Sequence, residues 1–175
     1  MNKTIIGVII GVFVLGGLIW LARPKPTGEG GVARPNGQNI VLSVTNSSGA
    51  LAVEEANNYD FGTVSMAKGI VKHQFKIKNT SGETVTINKI YTSCMCTTAA
   101  LAVGDRQFGP YGMPGHEAAS RIDQAINPNE EAIVEVVFDP AAHGPAGVGR
   151  IQRTVTIENN AGQPVELLFA AVVTP

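Results

Sequence analysis

Cys94 and Cys96, separated by a single residue, are the side chains of this sequence whose type and spacing are best suited to chemistry. On an extended strand the two would point to the same side, with their Cβ atoms farther apart than the roughly 3.5–4.5 Å that a disulfide needs. A bridge would require a bent segment, and such a bridge would be easily reduced. Two thiolates on one side can instead share a soft metal ion, Cu(I) or, with histidine, Zn(II).

Histidine and methionine side chains elsewhere in the chain are candidates to complete such a metal shell. Each also has an ordinary structural explanation, because Met95 and His73 suit a sheet and the others suit loops or turns. Three interpretations therefore stay open, namely two inert buried thiols, a metal site and a thiol–disulfide pair. The predicted ligand set is Cys94, Cys96, Met113, His116 and His143.

Acidic and hydroxyl side chains do not form a second reactive pattern. Glu130, Glu131, Asp105 and Asp123 fall in predicted loops, where charges are normally solvated. The sequence has neither a glycine-rich phosphate loop before a helix nor a serine in a nucleophile elbow. The chain is therefore predicted not to be an enzyme.

Composition limits the class of protein further. The 175 residues carry a net charge of -1, with 44% hydrophobic, 15% charged and 6% aromatic residues, which is enough for one ordinary domain and a tail. A nucleic-acid partner is excluded, since both backbone neutralisation and base stacking would lack their residues. Two cysteines are too few for a disulfide framework.

The N-terminal part of the chain predicts a membrane anchor. Residues 5–22 form an apolar run without a charge, long enough to cross most of a bilayer core at about 1.5 Å per residue. A cleaved signal peptide is the alternative, but Ala22 is the only small residue near a cleavage position and is flanked by Trp20 and Arg23. We expect a short segment at 1–3, an anchor at 4–22, a Pro/Gly-rich linker at 23–38 and a domain at 39–175.

The orientation of this anchor is less directly encoded. Basic residues lie on both sides, with Lys3 before the run and Arg23, Lys25 and Arg34 after it, so the positive-inside rule leans weakly toward a cytoplasmic domain. A very short segment followed at once by an apolar run nevertheless behaves as a start-transfer signal. We therefore expect a single-pass protein whose domain faces outside the cytoplasm, at the periplasm or cell surface, with the inverse orientation as the alternative.

Alternating apolar and polar residues predict strands in the rest of the chain. The alternation over 71–78, a turn at 79–82 and a second alternation from Val85 predict an antiparallel hairpin ending near the cysteines. Later runs at 134–138, 151–157 and 165–173 alternate in the same way. About seven short strands without a long soluble helix indicate an all-β, immunoglobulin-like antiparallel sandwich.

Between the cysteines and residue 127 the alternation lapses. Ala99 to Asn127 is predicted to be a long loop in which Phe108, Tyr111, Met113 and His116 are spaced by Gly and Pro. We expect the loop to pack beside Cys94–Cys96 and to form a recognition or metal-facing surface. The alternative is that its aromatic residues only plug one end of the sandwich.

Several short motifs, taken together, resemble a known bacterial family. They are Asp60-Phe61-Gly62-Thr63-Val64, Phe75 with Asn79-Thr80, Thr92-Ser93-Cys94-Met95-Cys96-Thr97, and Pro128 before a strand ending Phe138-Asp139. Over Tyr59 to Val173 the chain resembles the family catalogued as domain of unknown function 1573. The family usually has glycine where this chain has Met95, and a shorter segment than Ala99 to Asn127.

The resemblance implies an immunoglobulin-like domain, similar to those of the major sperm protein and abnormal-spindle group, that is often exported or membrane-anchored. It implies no activity. We therefore predict a membrane-anchored extracytoplasmic binding or structural module with a protein partner and no cofactor. The alternative is a thiol-based Cu or Zn protein, or a redox protein, acting through Cys94-Met95-Cys96.

Overall fold

The computed structural model describes residues 49–116 and 121–175, and these stretches form an all-β structure. Short 3-10 turns at Met66–Lys68 and Gly144–Gly147 are the helical segments within them. The strands in chain order are β1 Leu51–Val53, β2 Asn58–Ser65, β3 Val71–Asn79, β4 Val85–Thr92, β5 Thr97–Val103, β6 Arg106–Tyr111, β7 Gln124–Ile126, β8 Glu131–Phe138, β9 Gly149–Asn159 and β10 Val165–Thr174.

The strands form two five-stranded sheets packed face to face. One sheet has the order β1-β3-β8-β5-β6 and the other β2-β10-β9-β4-β7. All neighbouring pairs are antiparallel except β2, which pairs parallel with β10. The predicted all-β sandwich is thus confirmed, but the described residues hold more than the expected seven or so strands.

The core lies between the sheets and comes from the inward positions of the alternating strands. On β8, Ala132, Val134 and Val136 are buried, while Ile133, between the first two, is exposed. On β10, Leu167 and Phe169 are fully buried in the same way. Burying each such side chain stabilises the fold by about 1.5–3 kcal/mol relative to leaving it in water. The strands predicted at 134–138, 151–157 and 165–173 are confirmed.

The predicted hairpin of β3 and β4 is wrong, because the two strands lie in opposite sheets. The turn between them is held by Asn79, whose side chain is fully buried. Its Oδ1 accepts from the Ser81 backbone N–H at 2.9 Å, and its Nδ2 donates to the carbonyls of Glu83 at 2.7 Å and Ile126 at 2.9 Å. Alternation reports which face of a strand is buried and does not report its partner.

The predicted long loop is also wrong over its first half, which forms β5 and the edge strand β6. The sequence pattern does not indicate β5, because Ala99, Ala100 and Leu101 are all buried and their run of apolar residues shows no alternation. β6 was hidden by Gly109-Pro110, which an edge strand tolerates because its outer N–H groups need no partner. Gly109 has φ 105°, and a Cβ there would lie 3.0 Å from the Ala99 carbonyl oxygen.

The predicted segments at 1–3, 4–22 and 23–38, and the first residues of the predicted domain at 39–175, lie outside the described residues. Within residues 49–116 and 121–175 no helix is long and apolar enough to cross a membrane.

Candidate functional site

The site begins at the connection between β4 and β5, where the chain passes from one sheet to the other. Residues 93–96 form a turn closed by the Thr97 N–H, which donates to the Cys94 carbonyl at 3.1 Å. The Thr92 hydroxyl lies 3.0 Å from the carbonyl oxygens of both Cys94 and Thr97. The cysteines therefore sit on a bend and not on an extended strand.

This bend brings the two sulfur atoms together. The Sγ atoms of Cys94 and Cys96 are 2.7 Å apart, and both residues are free thiols. Cys96 is buried at 3% exposure, whereas Cys94 is half-buried. One sulfur is thus held by the core and the other faces the surface.

His143 reaches the thiols from the connection that follows β8. The Asp139 N–H donates to the Cys96 carbonyl at 2.9 Å, which ties this connection to the cysteine turn. The Asp139 carboxylate then accepts from the Ala141 N–H at 2.8 Å and bends the chain. As a result, Nε2 of His143 lies 3.1 Å from Sγ of Cys94.

The position of His143 also depends on a small residue in the next 3-10 turn. A Cβ atom placed on Gly147 would lie 3.1 Å from the Cβ of His143 and 3.6 Å from the terminal carbon of Met66. The first of these contacts, at 3.1 Å, is tighter than ordinary van der Waals packing, and the second is an ordinary contact. Gly147 therefore leaves His143 the room it occupies.

Arg153 on β9 completes the site from the second sheet. Ser93 exchanges hydrogen bonds with the backbone of Thr154, its N–H donating at 2.9 Å and its hydroxyl oxygen accepting at 2.9 Å. This pairing fixes β9 against the cysteine turn. Nε of Arg153 consequently lies 3.5 Å from Sγ of Cys96, while its terminal nitrogen donates to the Gln152 carbonyl at 2.8 Å.

The surroundings of the two thiols make them electrostatically unequal. Burial opposes ionisation of Cys94, but hydrogen bonds from Cys96 and His143 and the charge of Arg153 outweigh it and lower the pKa of Cys94 to about 7. Burial and the hydrogen bond with Cys94 raise the pKa of Cys96, with Arg153 and Thr97 opposing the shift. Near neutral pH the outer sulfur is therefore the reactive thiolate.

Cys94, Cys96 and His143 together form a group that can hold one metal ion. Their ligand atoms lie within 4.8 Å of one another. Two sulfurs bound to one tetrahedral ion at about 2.3 Å would be about 3.8 Å apart, so the turn must open by about 1 Å. Of the two cysteines, Cys94 is the half-buried one, so rotation of its side chain toward the surface meets less of the core than rotation of Cys96 would.

The remaining predicted ligands are placed differently. His116 is exposed and does not belong to the group formed by the two thiols and His143. Met113 is half-buried just after Gly112, whose carbonyl accepts from the Thr92 N–H at 3.2 Å. That part of the predicted loop thus reaches the end of β4, two residues before Cys94. Phe108 and Tyr111 pack against the core, as the plug interpretation expects.

Two further candidates, Met95 and His73, have other surroundings. Met95 points outward at 49% exposure. His73 stacks on Tyr59 with ring centroids 3.6 Å apart and meets Phe75 edge-on at 4.6 Å. His73 therefore belongs to an aromatic cluster and not to the thiol site.

Sequence reasoning missed Arg153. Its signal was present, because Ile151, Val155 and Ile157 share one face of a strand and Arg153 interrupts that face. A charge at an inward position is costly unless it has a partner. The interruption marked a buried partner, but the sequence did not show that the partner is a thiol.

Several solved structures are similar to this chain, and the first of the following three indicates a likeness of fold. A protein of unknown function from Porphyromonas gingivalis W83 has a TM-score of 0.52 and 16% identity, covering 71% of this chain and 46% of that one. The VesB protease of Vibrio cholerae has a TM-score of 0.49 and 13% identity, covering 74% and 33%. The ASH/PapD-like domain 7 of human CEP192 has a TM-score of 0.43 and 12% identity, covering 81% and 98%.

This chain therefore spans less than half the length of the first two of these proteins. No protein with a curated description matches the sequence. Through residues 52–104, which include Cys94 and Cys96, the chain matches the family described as "Protein of unknown function (DUF1573)", and the predicted resemblance is confirmed.

Proposed function

We propose that this domain is an immunoglobulin-like module that binds one soft metal ion, Cu(I) or Zn(II), through Cys94, Cys96 and His143. The observation that carries the proposal is the convergence of these three ligand atoms within 4.8 Å. They come from two separate connections between the sheets, so a single local motif does not account for their meeting.

The chemistry of the three donors favours a soft ion. Thiolate sulfur selects Cu(I) and Zn(II), and neutral imidazole nitrogen suits both. The lowered pKa of Cys94 favours the ionised thiol that metal binding requires, and the hydrogen bond from Arg153 partly offsets the raised pKa of Cys96. The site needs no catalytic group to perform this role.

Metal titration of the reduced full-length protein in detergent tests the proposal. Cu(I) is added without oxygen against a chromophoric Cu(I) chelator, and Zn(II) is added against a chromophoric Zn(II) chelator. We expect one equivalent of tightly bound metal. Cys94→Ser, Cys96→Ser and His143→Ala should each weaken binding by at least about 100-fold, beyond the usual effect of losing an outer-shell partner.

His116→Ala is the matched control, because His116 is an exposed histidine outside the group. It should bind metal as the parent protein does. Absence of competition with either chelator would overturn the proposal. Loss of binding in His116→Ala but not in His143→Ala would move the site to the predicted loop.

A second candidate function, thiol–disulfide exchange, is favoured by the unequal thiols. The half-buried Cys94 has the lower pKa and the buried Cys96 lies 2.7 Å away as a resolving thiol. Cys94 thiolate would attack a disulfide on a partner protein, and Cys96 would then displace the partner's thiol. The pair loses two electrons and two protons, and the partner disulfide is reduced to two thiols.

Equilibration with glutathione buffers, followed by mass spectrometry, distinguishes this role. A redox protein should show the Cys94–Cys96 disulfide at a potential near that of known thiol–disulfide exchange proteins, about -270 to -120 mV. Full reduction throughout this range would leave metal binding as the function.

We further propose that the module is anchored in a membrane by residues 4–22 and faces outside the cytoplasm. The support is the uncharged apolar run and the Pro/Gly-rich segment that follows it. Protease shaving of intact cells tests this placement. Domain fragments that stay protected while the membrane is sealed would contradict it, and a soluble mature protein would contradict the anchor.

A further inference from the structure

Arg153 is the feature of the site that binding by two thiols and an imidazole does not require. Arg153 is half-buried on an otherwise apolar strand face, and its Nε lies 3.5 Å from Sγ of Cys96. Its charge also favours ionisation of Cys94. A fixed positive charge beside a cation site repels the incoming ion, and it repels a divalent ion more strongly than a monovalent one.

Charge arithmetic separates the two soft ions that fit these ligands. Two thiolates and a neutral imidazole contribute a charge of about -2, so Cu(I) leaves the loaded group at about -1 and Zn(II) leaves it at about zero. The guanidinium attracts the first complex and gains nothing from the second. The number of donors points the same way, because the described residues supply a group of three ligands and structural zinc sites almost always have four.

We propose that Arg153 makes this site selective for a monovalent soft ion, Cu(I), over Zn(II). The inference rests on the proposed metal-binding function and names the ion of that same site. Arg153 acts as a positioning and selectivity residue that does not touch the metal. Its effect is carried by charge at Sγ of Cys96, the sulfur that the core holds in place.

The ratio of the Cu(I) and Zn(II) affinities isolates this effect. Both affinities refer to the same metal-free protein, so the protonation state of the free thiols and any loss of folded protein cancel from the ratio. The ratio therefore depends on the difference between the two loaded states, and that difference is one unit of charge. Ratios measured on a series of variants at position 153 therefore report how that side chain acts on the two loaded states, and the Arg153→Lys variant separates its charge from its shape.

The experiment measures both affinities, by the two chelator competitions, for the parent protein and for Arg153→Lys, Arg153→Gln and Arg153→Glu. We expect Arg153→Lys to keep the Cu(I)/Zn(II) ratio within a few-fold. Arg153→Gln should lower it by roughly tenfold or more, as the loss of a nearby charge at an intermediate dielectric predicts. Arg153→Glu should lower it further, mainly by weakening Cu(I) binding.

Each outcome decides one of two statements. If both ions bind and the ratio is the same for all four proteins, the selectivity role of Arg153 is overturned while the metal site stands. A ratio that rises in Arg153→Gln overturns it as well. If neither ion competes with its chelator in the parent protein, the proposed function itself fails.

Discussion

Two histidines of this domain show how the neighbours of one side-chain type decide its chemistry. His73 lies on β3 with its ring stacked on Tyr59 at 3.6 Å and edge-on to Phe75. His143 lies on a connection between the sheets, exposed, with Nε2 3.1 Å from a thiol sulfur. The first is surrounded by aromatic carbon and serves packing, whereas the second has a ring nitrogen directed at a soft ligand.

The aromatic surroundings of His73 extend across the sandwich. Phe61 on β2 meets Tyr59 edge-on at 4.9 Å and Phe169 on β10 at 5.4 Å. Burial lowers the pKa of His73, and the negative charge of Glu55 opposes that shift. This region therefore favours a neutral imidazole for packing, while the thiol region favours ions.

Exchange of the two histidines for alanine should produce the largest contrast. His143→Ala should weaken metal binding by at least about 100-fold and leave the melting temperature of the metal-free protein nearly unchanged, since His143 is exposed. His73→Ala should do the reverse, with a loss of about 0.5–1.5 kcal/mol of stability from each aromatic contact removed. Chelator competition and thermal melts of both variants measure this. Equal metal affinities in the two variants would refute the distinction.

A methyl group at Gly147 should give the next largest effect. Because the new Cβ would lie 3.1 Å from the Cβ of His143, Gly147→Ala should shift that ring and weaken metal binding by about tenfold. Gly82→Ala is the matched control, because a Cβ at Gly82 meets nothing within 4 Å. Chelator competition on the two variants reports the difference. Unchanged affinity in Gly147→Ala would show that the ring position is not limiting.

Selective alkylation should show the inequality of the two thiols. In the metal-free protein iodoacetamide should modify Cys94 first, with a rate that rises with pH to half its maximum at about pH 7. His143→Ala should move this midpoint upward, because one hydrogen bond that lowers the pKa is lost. Mass spectrometry of briefly treated samples locates the modified residue. Faster modification of Cys96 would reverse the assignment of the two roles.

The smallest predicted effect is a loss of stability in mild acid that depends on His73. Its pKa is lowered from 6.5, so the unfolded chain takes up the proton more readily than the folded domain. The associated stability is fully present above about pH 6.5 and is lost as pH falls from there through the folded value. His73→Phe, which stacks without titrating, should reduce this dependence. Urea unfolding at several pH values measures it, and identical profiles for both proteins would contradict it.

Sequence reasoning predicted the face of most strands but not their partners. β8, β9 and β10 are long strands with alternating buried positions, so the residues within each strand are enough to predict the strand and its buried face. The crossing between β3 and β4 depends on Asn79, whose amide binds carbonyls of residues 83 and 126. A contact between residues 47 positions apart leaves no local pattern in the sequence. The turn at 79–82 therefore has the sequence pattern of a hairpin although it connects two sheets.

The site was predicted in part for a similar reason. Two cysteines at a spacing of two indicated a shared ligand, and the bend that such a pair needs is present. Spacing in the sequence could not distinguish His73, His116 and His143 as ligands. The segment that carries His143 is held beside the thiols by the long-range hydrogen bond from the Asp139 N–H to the Cys96 carbonyl. Arg153 was visible as an anomaly, but its partner was not.

The cysteine turn and the segment that carries His143 are both places where the chain crosses from one sheet to the other, and they lie at the same end of the sandwich. An ion bound by both segments would cross-link the two connections at that end. Such a cross-link would oppose relative movement and separation of the two sheets at that end. Metal occupancy would thus raise the mechanical force needed to unfold the domain by separating its two sheets.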